Sequence, residues 1–303
     1  MKRKWWIVAL AALALLTAIL PKEESRGICY RVTGGKSEMT ILGSIHAGSR
    51  DMYPMHRDIR QALKQADLLV FECDTEGAEA TAATQALMFY PAGEQLADHI
   101  RPECLAQVET AANKLGYDMT LLNRMKPWAL VSLFSVENMA DTTGGTSQQA
   151  TELGVETQVQ KLAGDKPRAY LETAEMQLGL MDNFTPELQQ YLLTDACEAV
   201  LNPAENSDVA QWPTWWREGN AKAFAESYQQ EMNAEPNPTL AHEYHTALIT
   251  TRNQHMANEL AKLLEGDQST FVTLGLMHLV LENDSILTEL TKKGYTVEPL
   301  LRP

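Results

Sequence analysis

Positive charge is scarce in this chain: 25 Lys and Arg stand against 40 Asp and Glu over 303 residues, a net charge of −15. A nucleic-acid binder needs a basic stripe to neutralise phosphates, so no nucleic-acid partner is expected. Cysteine is sparse too. Cys29, Cys73, Cys104 and Cys197 lie far apart, with no C-x-x-C pair. A chain of this length does not depend on disulfides, so these residues read equally as small apolar fillers or as partners in a bridge. Low-complexity tracts are absent, and hydrophobic residues make up 45%. Disorder is therefore not the reading, and a large core is within reach.

What is present starts at the first residues. Lys2, Arg3 and Lys4 form a basic cap, an apolar run follows from Trp5 to Leu20, and Pro21-Lys22-Glu23-Glu24-Ser25 turns polar. This is the pattern of an export signal. The run is shorter than the ~20 residues of a comfortable membrane-spanning helix. No clean small-x-small cleavage site and no lipobox-like cysteine follow it. Residues 1–26 are expected to be a signal peptide or an N-terminal membrane anchor. The remainder is expected outside the cytoplasm, secreted or held at the membrane by that segment.

From Ile28 the pattern is β-like. Ile28–Thr33 and Glu38–Leu42 flank Gly34-Gly35, a hairpin signal. His46 follows the second run, Pro54 opens a helical stretch over Met55–Gln65, and Asp67–Glu72 reads as a strand buried on both faces. The C-terminal end repeats the order: a strand at Phe271–Leu274, then Gly275-Leu276-Met277-His278, a helix over Asp284–Lys293 and a strand over Tyr295–Leu300. Each unit is thus strand, G-x-x-H, helix, strand, the β-α-β type whose crossover makes neighbouring parallel strands. Between the units lie helical periodicities at Glu103–Leu115, Pro127–Met139, Glu152–Ala163, Glu187–Val200, Ala221–Met232 and Leu240–Leu264. Arg168–Leu171 is a short strand, and 141–147 and 233–238 read as loops. The expected fold is α/β: a central mixed, partly parallel sheet built from the two G-x-x-H units, with a large helical insertion at about 75–265. Residues 27–303 form one domain.

Ligands of open α/β sheets usually bind at the carboxyl ends of the strands. Gly43 and Gly275 allow a tight turn or a close approach there, and the spacers lower His46 and His278 into a shared crevice. Glu72 ends the neighbouring strand, with Asp74 on the same face. Two histidines and a carboxylate suit a divalent metal, which would acidify a bound water. The bland alternative for each histidine is a hydrogen-bonded core residue. His242-Glu243-Tyr244-His245 falls short of a zinc-protease helix, since its histidines are three apart rather than four. Arg252 and His255 share a helix face; Arg252 holds an anionic substrate end, pairs with Glu72, or is an ordinary surface residue. His56 and His99 read as exposed, and Trp212-Pro213-Thr214-Trp215-Trp216 as core packing rather than a substrate wall.

TILGSIHAGSRDMYP, ADLLVFECD, LETAEMQLGLMDNF, TTRNQHMANELAKLL and FVTLGLMHLVLENDSILTELTKKGYTVEPL, taken in order, resemble the TraB/GumN family over roughly residues 28–300. That family includes the pheromone-shutdown proteins and is related to the animal TIKI proteases that cleave secreted Wnt ligands. The resemblance implies a peptidase-like site dependent on a divalent metal (Mn, Co or Zn), formed by Gly43, His46, Glu72, Gly275 and His278. Arg252, in the R-N stretch, and Glu175, in the E-x-Q stretch beside Glu172, are implied as further site residues. The substrate implied is an extracytoplasmic peptide or protein. Two alternatives stand beside it. One is a non-peptide hydrolase resembling erythromycin esterase, working without metal. The other is a non-catalytic surface protein binding metal, haem or peptide.

Overall fold

The computed structural model describes residues 23–74, 77–143, 146–203 and 207–301. The apolar run Trp5–Leu20 lies outside them; among the described residues no helix is long and apolar enough to cross a membrane. Glu24, Ser25 and Arg26, placed in the leader segment by sequence, are bonded to the body. Glu24 accepts the Arg57 N–H, Ser25 donates its N–H to the Pro54 carbonyl, and Arg26 donates to that of Arg217.

Strands β1 (Cys29–Thr33), β2 (Met39–Ser44), β3 (Leu68–Cys73), β4 (Arg168–Glu172), β5 (Thr270–Gly275) and β6 (Thr296–Pro299) form one sheet in the order β4-β3-β5-β2-β1-β6. β2, β3, β4 and β5 pair parallel; β1 pairs antiparallel with β2 and with β6. The sheet is mixed, as expected, and β1 alone is reversed. The expectation of neighbouring strands within each unit is corrected. β2 and β3 are separated by β5, and β5 and β6 by β2 and β1. The two units interleave because β5 offers apolar side chains on both faces and is covered best between two other buried strands.

The helices are α1 (Arg57–Gln65), α2 (Ala78–Met88), α3 (Pro102–Leu115), α4 (Met119–Leu122), α5 (Pro127–Thr143), α6 (Ser147–Glu152), α7 (Val155–Ala163), α8 (Ala174–Asp182), α9 (Pro186–Leu201), α10 (Ser207–Glu218), α11 (Ala221–Ala234), α12 (Pro238–His245), α13 (Thr251–Leu264), α14 (Met277–Val280) and α15 (Ile286–Lys292). Alternation along the strands divides the core. Leu42, Leu69, Phe71 and Phe271 face Ile59, Val155, Val159 and Trp216. Ile41, Val70, Val272 and Leu274 face Met256, Leu260, Leu264, Ile286 and Leu290. A third cluster, with Val108, Phe134, Leu193 and Cys197, joins α3, α5 and α9 without the sheet. Among the described residues, the insertion expected at 75–265 is built of helices and loops with β4 as its strand. All four cysteines are buried and free.

Several boundaries differ from the sequence pattern. Tyr53-Pro54 is a cis peptide, and α1 begins at Arg57, with His56 accepting the Asp58 N–H as its N-cap. The stretch Glu152–Ala163 breaks at Leu153-Gly154, and the loop read at 141–147 is helical to Thr143. Leu240–Leu264 is not one regular helix. A π-turn over Thr246–Thr250 joins α12 to α13, and periodicity averaged over a long window passes over such a turn. Trp216 is fully buried, so the Trp-rich stretch is core.

Candidate active site

The parallel register sets the carboxyl ends of four strands in a row. Gly43 and Ser44 of β2 lie opposite Leu274 and Gly275 of β5, Phe71 of β3 opposite Thr273, and Cys73 opposite Glu172 of β4. Glu172, Glu72, Gly275 and Ser44 therefore follow one another across the sheet edge. The two G-x-x-H segments touch directly, the Leu276 N–H donating to the Ser44 carbonyl at 2.8 Å. Neither Gly43 nor Gly275 has a positive φ. Gly43 lies within β2 and Gly275 ends β5, so of the two expectations it is close approach that holds: a Cβ on Gly275 would lie 2.9 Å from Glu72 Oε1.

The histidines differ in setting. His278 sits on the single turn α14 and is buried, whereas His46 lies in a bend and is exposed. His46 is near enough for its charge to bear on both Glu72 and His278. Its loop is held from three sides. The Gly43 carbonyl accepts the Trp216 indole N–H at 2.8 Å, and the Ile45 carbonyl accepts the Val155 N–H at 3.1 Å. Gly154 abuts the loop so closely that a Cβ there would fall 2.1 Å from the His46 oxygen.

Glu72 is buried and densely bonded. Oε1 accepts the Gly275 N–H; Oε2 accepts Arg252 Nη2 at 2.7 Å and Gln177 Nε2 at 2.9 Å. Arg252 also binds Glu172, through Nε at 3.1 Å and Nη2 at 2.7 Å. It is a buried residue between two carboxylates, not a surface one. Burial works to raise the Glu72 carboxyl, but His278, Arg252, the Gly275 N–H and His46 outweigh it and hold it at about 2. Burial lowers the His278 imidazole to about 4 despite the opposing pull of Glu72. At neutral pH the carboxylate is therefore ionised and the imidazole neutral.

Sequence missed two contributors. Gln177 bridges Glu72 and Glu172, its own oxygen accepting from Cys73 Sγ at 3.0 Å. Asn253 accepts at 2.6 Å from His278 Nδ1. Glu175 is exposed, two residues from Gln177; the E-x-Q stretch supplies its amide to the centre. Asp74 accepts the Gly77 N–H ahead of α2. Glu243 accepts from Thr185, and His245 binds Tyr228 and Asp284, so the His-Glu-x-His stretch forms no joint site. His255 bonds the Leu171 carbonyl, and His99 stacks on Tyr90.

The donor set fits a divalent ion in part. His278 Nε2 and Glu72 Oε1 are 3.9 Å apart, a span that one ion with bonds of about 2.1 Å bridges. Among the described residues no group of three or more His, Cys, Asp or Glu is spaced to hold a metal. Two donors are in place, and His46 lies nearby with its ring exposed.

A family model described as the TraB/PrgY/gumN family matches residues 28–299. Two relatives, both described as uncharacterized protein YbaP, come from Escherichia coli K12 and Shigella flexneri. Each is 25% identical over 254 residues, covering 81% of this chain and 85% of its own. No solved structure matches.

Proposed function

The chain belongs to the TraB/PrgY/gumN family, and from that premise we propose that it is a hydrolase of extracytoplasmic peptides or proteins whose reacting centre is Glu72 and His278. The observation that supports this reading is the pair itself, two buried groups 3.9 Å apart, each with its proton affinity held below the ordinary value by its surroundings. Groups that release their protons so readily are poor proton carriers near pH 7 but suit the binding of a cation, whose ligands must be deprotonated. A divalent ion (Mn, Co or Zn) would be held by His278 and Glu72, His46 would have to swing its exposed ring inward to become a third ligand, and when bound the ion supplies Lewis-acid activation of water. Arg252 and Gln177 fix the Glu72 carboxylate, leaving Oε1 turned towards His278. The peptide reaches the centre past His46, the exposed member of the set. The segment ahead of Glu24 carries the protein out of the cytoplasm and is either removed or kept as a membrane anchor, while Glu24, Ser25 and Arg26 stay with the body.

That only two donors face each other favours a second reading, a non-peptide hydrolase working without metal. The test is cleavage of a peptide library by the purified protein with chelator, then with Mn²⁺, Co²⁺ or Zn²⁺ restored, beside His278→Gln. Restored turnover in the wild type alone supports the metallopeptidase. Turnover untouched by chelator overturns the metal, and uptake of peptide without cleavage overturns the hydrolase.

A further inference from the structure

His278 has two ring nitrogens, and in the neutral ring only one carries a proton. The surroundings decide which. Asn253, fully buried, lies between His278 and residue 284: Nδ2 is 2.7 Å from the Asp284 backbone oxygen, and Oδ1 is 2.6 Å from His278 Nδ1. A backbone carbonyl only accepts, so the amide edge that meets it must be the NH₂ group. A flipped Asn253 would set two oxygens against each other. Its oxygen therefore faces His278, and Nδ1 must be the nitrogen that donates.

The carbonyl that begins this sequence is itself anchored. The Asp284 side chain accepts from His245 Nε2 at 2.9 Å and from the Thr250 hydroxyl, and His245 Nδ1 is 2.8 Å from the Tyr228 hydroxyl. Residues five apart fall on different faces of an α-helix, but the π-turn over Thr246–Thr250 brings His245 and Thr250 round to the same aspartate.

We propose that Asn253 is a positioning residue that holds His278 as the Nδ1–H tautomer and keeps the Nε2 lone pair turned towards Glu72. Two acceptor atoms then face each other across 3.9 Å. What satisfies both is a cation, or a water molecule donating a hydrogen bond to each. The opposite tautomer would point its N–H at Glu72 and close the gap with a direct charge-assisted bond. This inference rests on the reading of Glu72 and His278 as the reacting pair. Its test needs no substrate, so it can fail while turnover stands, and the reverse.

The test is long-range ¹H–¹⁵N correlation of the imidazole in the full ¹⁵N-labelled chain at neutral pH with chelator, His278 being assigned by its loss in His278→Gln. The expected wild-type pattern is a protonated, pyrrole-like Nδ1 and a pyridine-like Nε2. Asn253→Leu, of similar size but without hydrogen bonds, is expected to lose that pattern in favour of Nε2–H. Asn253→Asp, which keeps an acceptor at Nδ1, is expected to retain it. A wild-type ring protonated at Nε2, or an unchanged pattern in a folded Asn253→Leu protein, overturns the proposal. If the leucine variant does not fold, the wild-type spectrum decides.

Discussion

Arg252 is buried between two carboxylates and is the cation bonded to both. Removing one partner of a buried ion pair strands the remaining charge and costs about 3–5 kcal/mol. Arg252→Ala is expected to lose stability of that order by urea unfolding, more than a surface arginine such as Arg57 substituted in the same way. His278 makes a prediction in pH. Its folded value of about 4 lies below the ordinary 6.5, so between those values the unfolded chain binds the extra proton. Stability is then complete above pH 6.5 and falls as pH drops towards 4, with a slope of up to about 1.4 kcal/mol per pH unit from this one group. His278→Gln is expected to lose that part of the slope, measured by urea unfolding at pH 4.5 to 7. Glu72, held at about 2, adds a loss at lower pH, as acid falls below its unfolded value. At this scale the sequence was legible where chemistry sits at a strand end: Glu72 and His278 lie at the centre, as their positions suggest. Gln177 and Asn253 were not legible, because an amide does not titrate and betrays its role only through what it touches.

Two short elements aim the side chains. The π-turn inserts a residue into the path from α12 to α13, and α13 delivers Arg252 to the carboxylates and Asn253 to the imidazole. Deleting Ala247 to restore α-helical continuity would rotate one end against the other by about 100°, one residue's share of a turn. The expected outcome is a less stable chain whose His278 ring signals lose their single protonation pattern in the same NMR experiment. The other element is the α6–α7 corner, whose Gly154 backbone presses on the His46 carbonyl. Gly154→Ala must displace that loop, with overpacking costing about 1–3 kcal/mol. A lowered melting temperature checks it. Both elements escape a sequence reading for the same reason: helical periodicity reports the apolar stripe, and a single extra residue or a two-residue break hardly alters it.

Over the whole molecule, the strands were legible individually and their neighbours were not. Apolar runs ending at Glu72 and Gly275 announce buried strands, but nothing local says that β5 enters between β2 and β3 after some two hundred intervening residues. That order carries a prediction. β3, β5 and β2 are each flanked on both sides, while β4 and β6 are edges. Native-state hydrogen exchange is expected to be slowest in Leu69–Phe71, Ile41–Leu42 and Phe271–Leu274 and faster in β6. Uniform protection across all six strands would contradict it. The sheet edge also gathers its histidines from two sets of elements. Strand ends and α13 hold Glu72 and His278, and the α6–α7 corner presses on the loop of His46. A change at the α6–α7 corner would move the loop of the exposed histidine while the strand ends and α13 keep their own bonds to the buried one, so the two histidines are open to separate alteration.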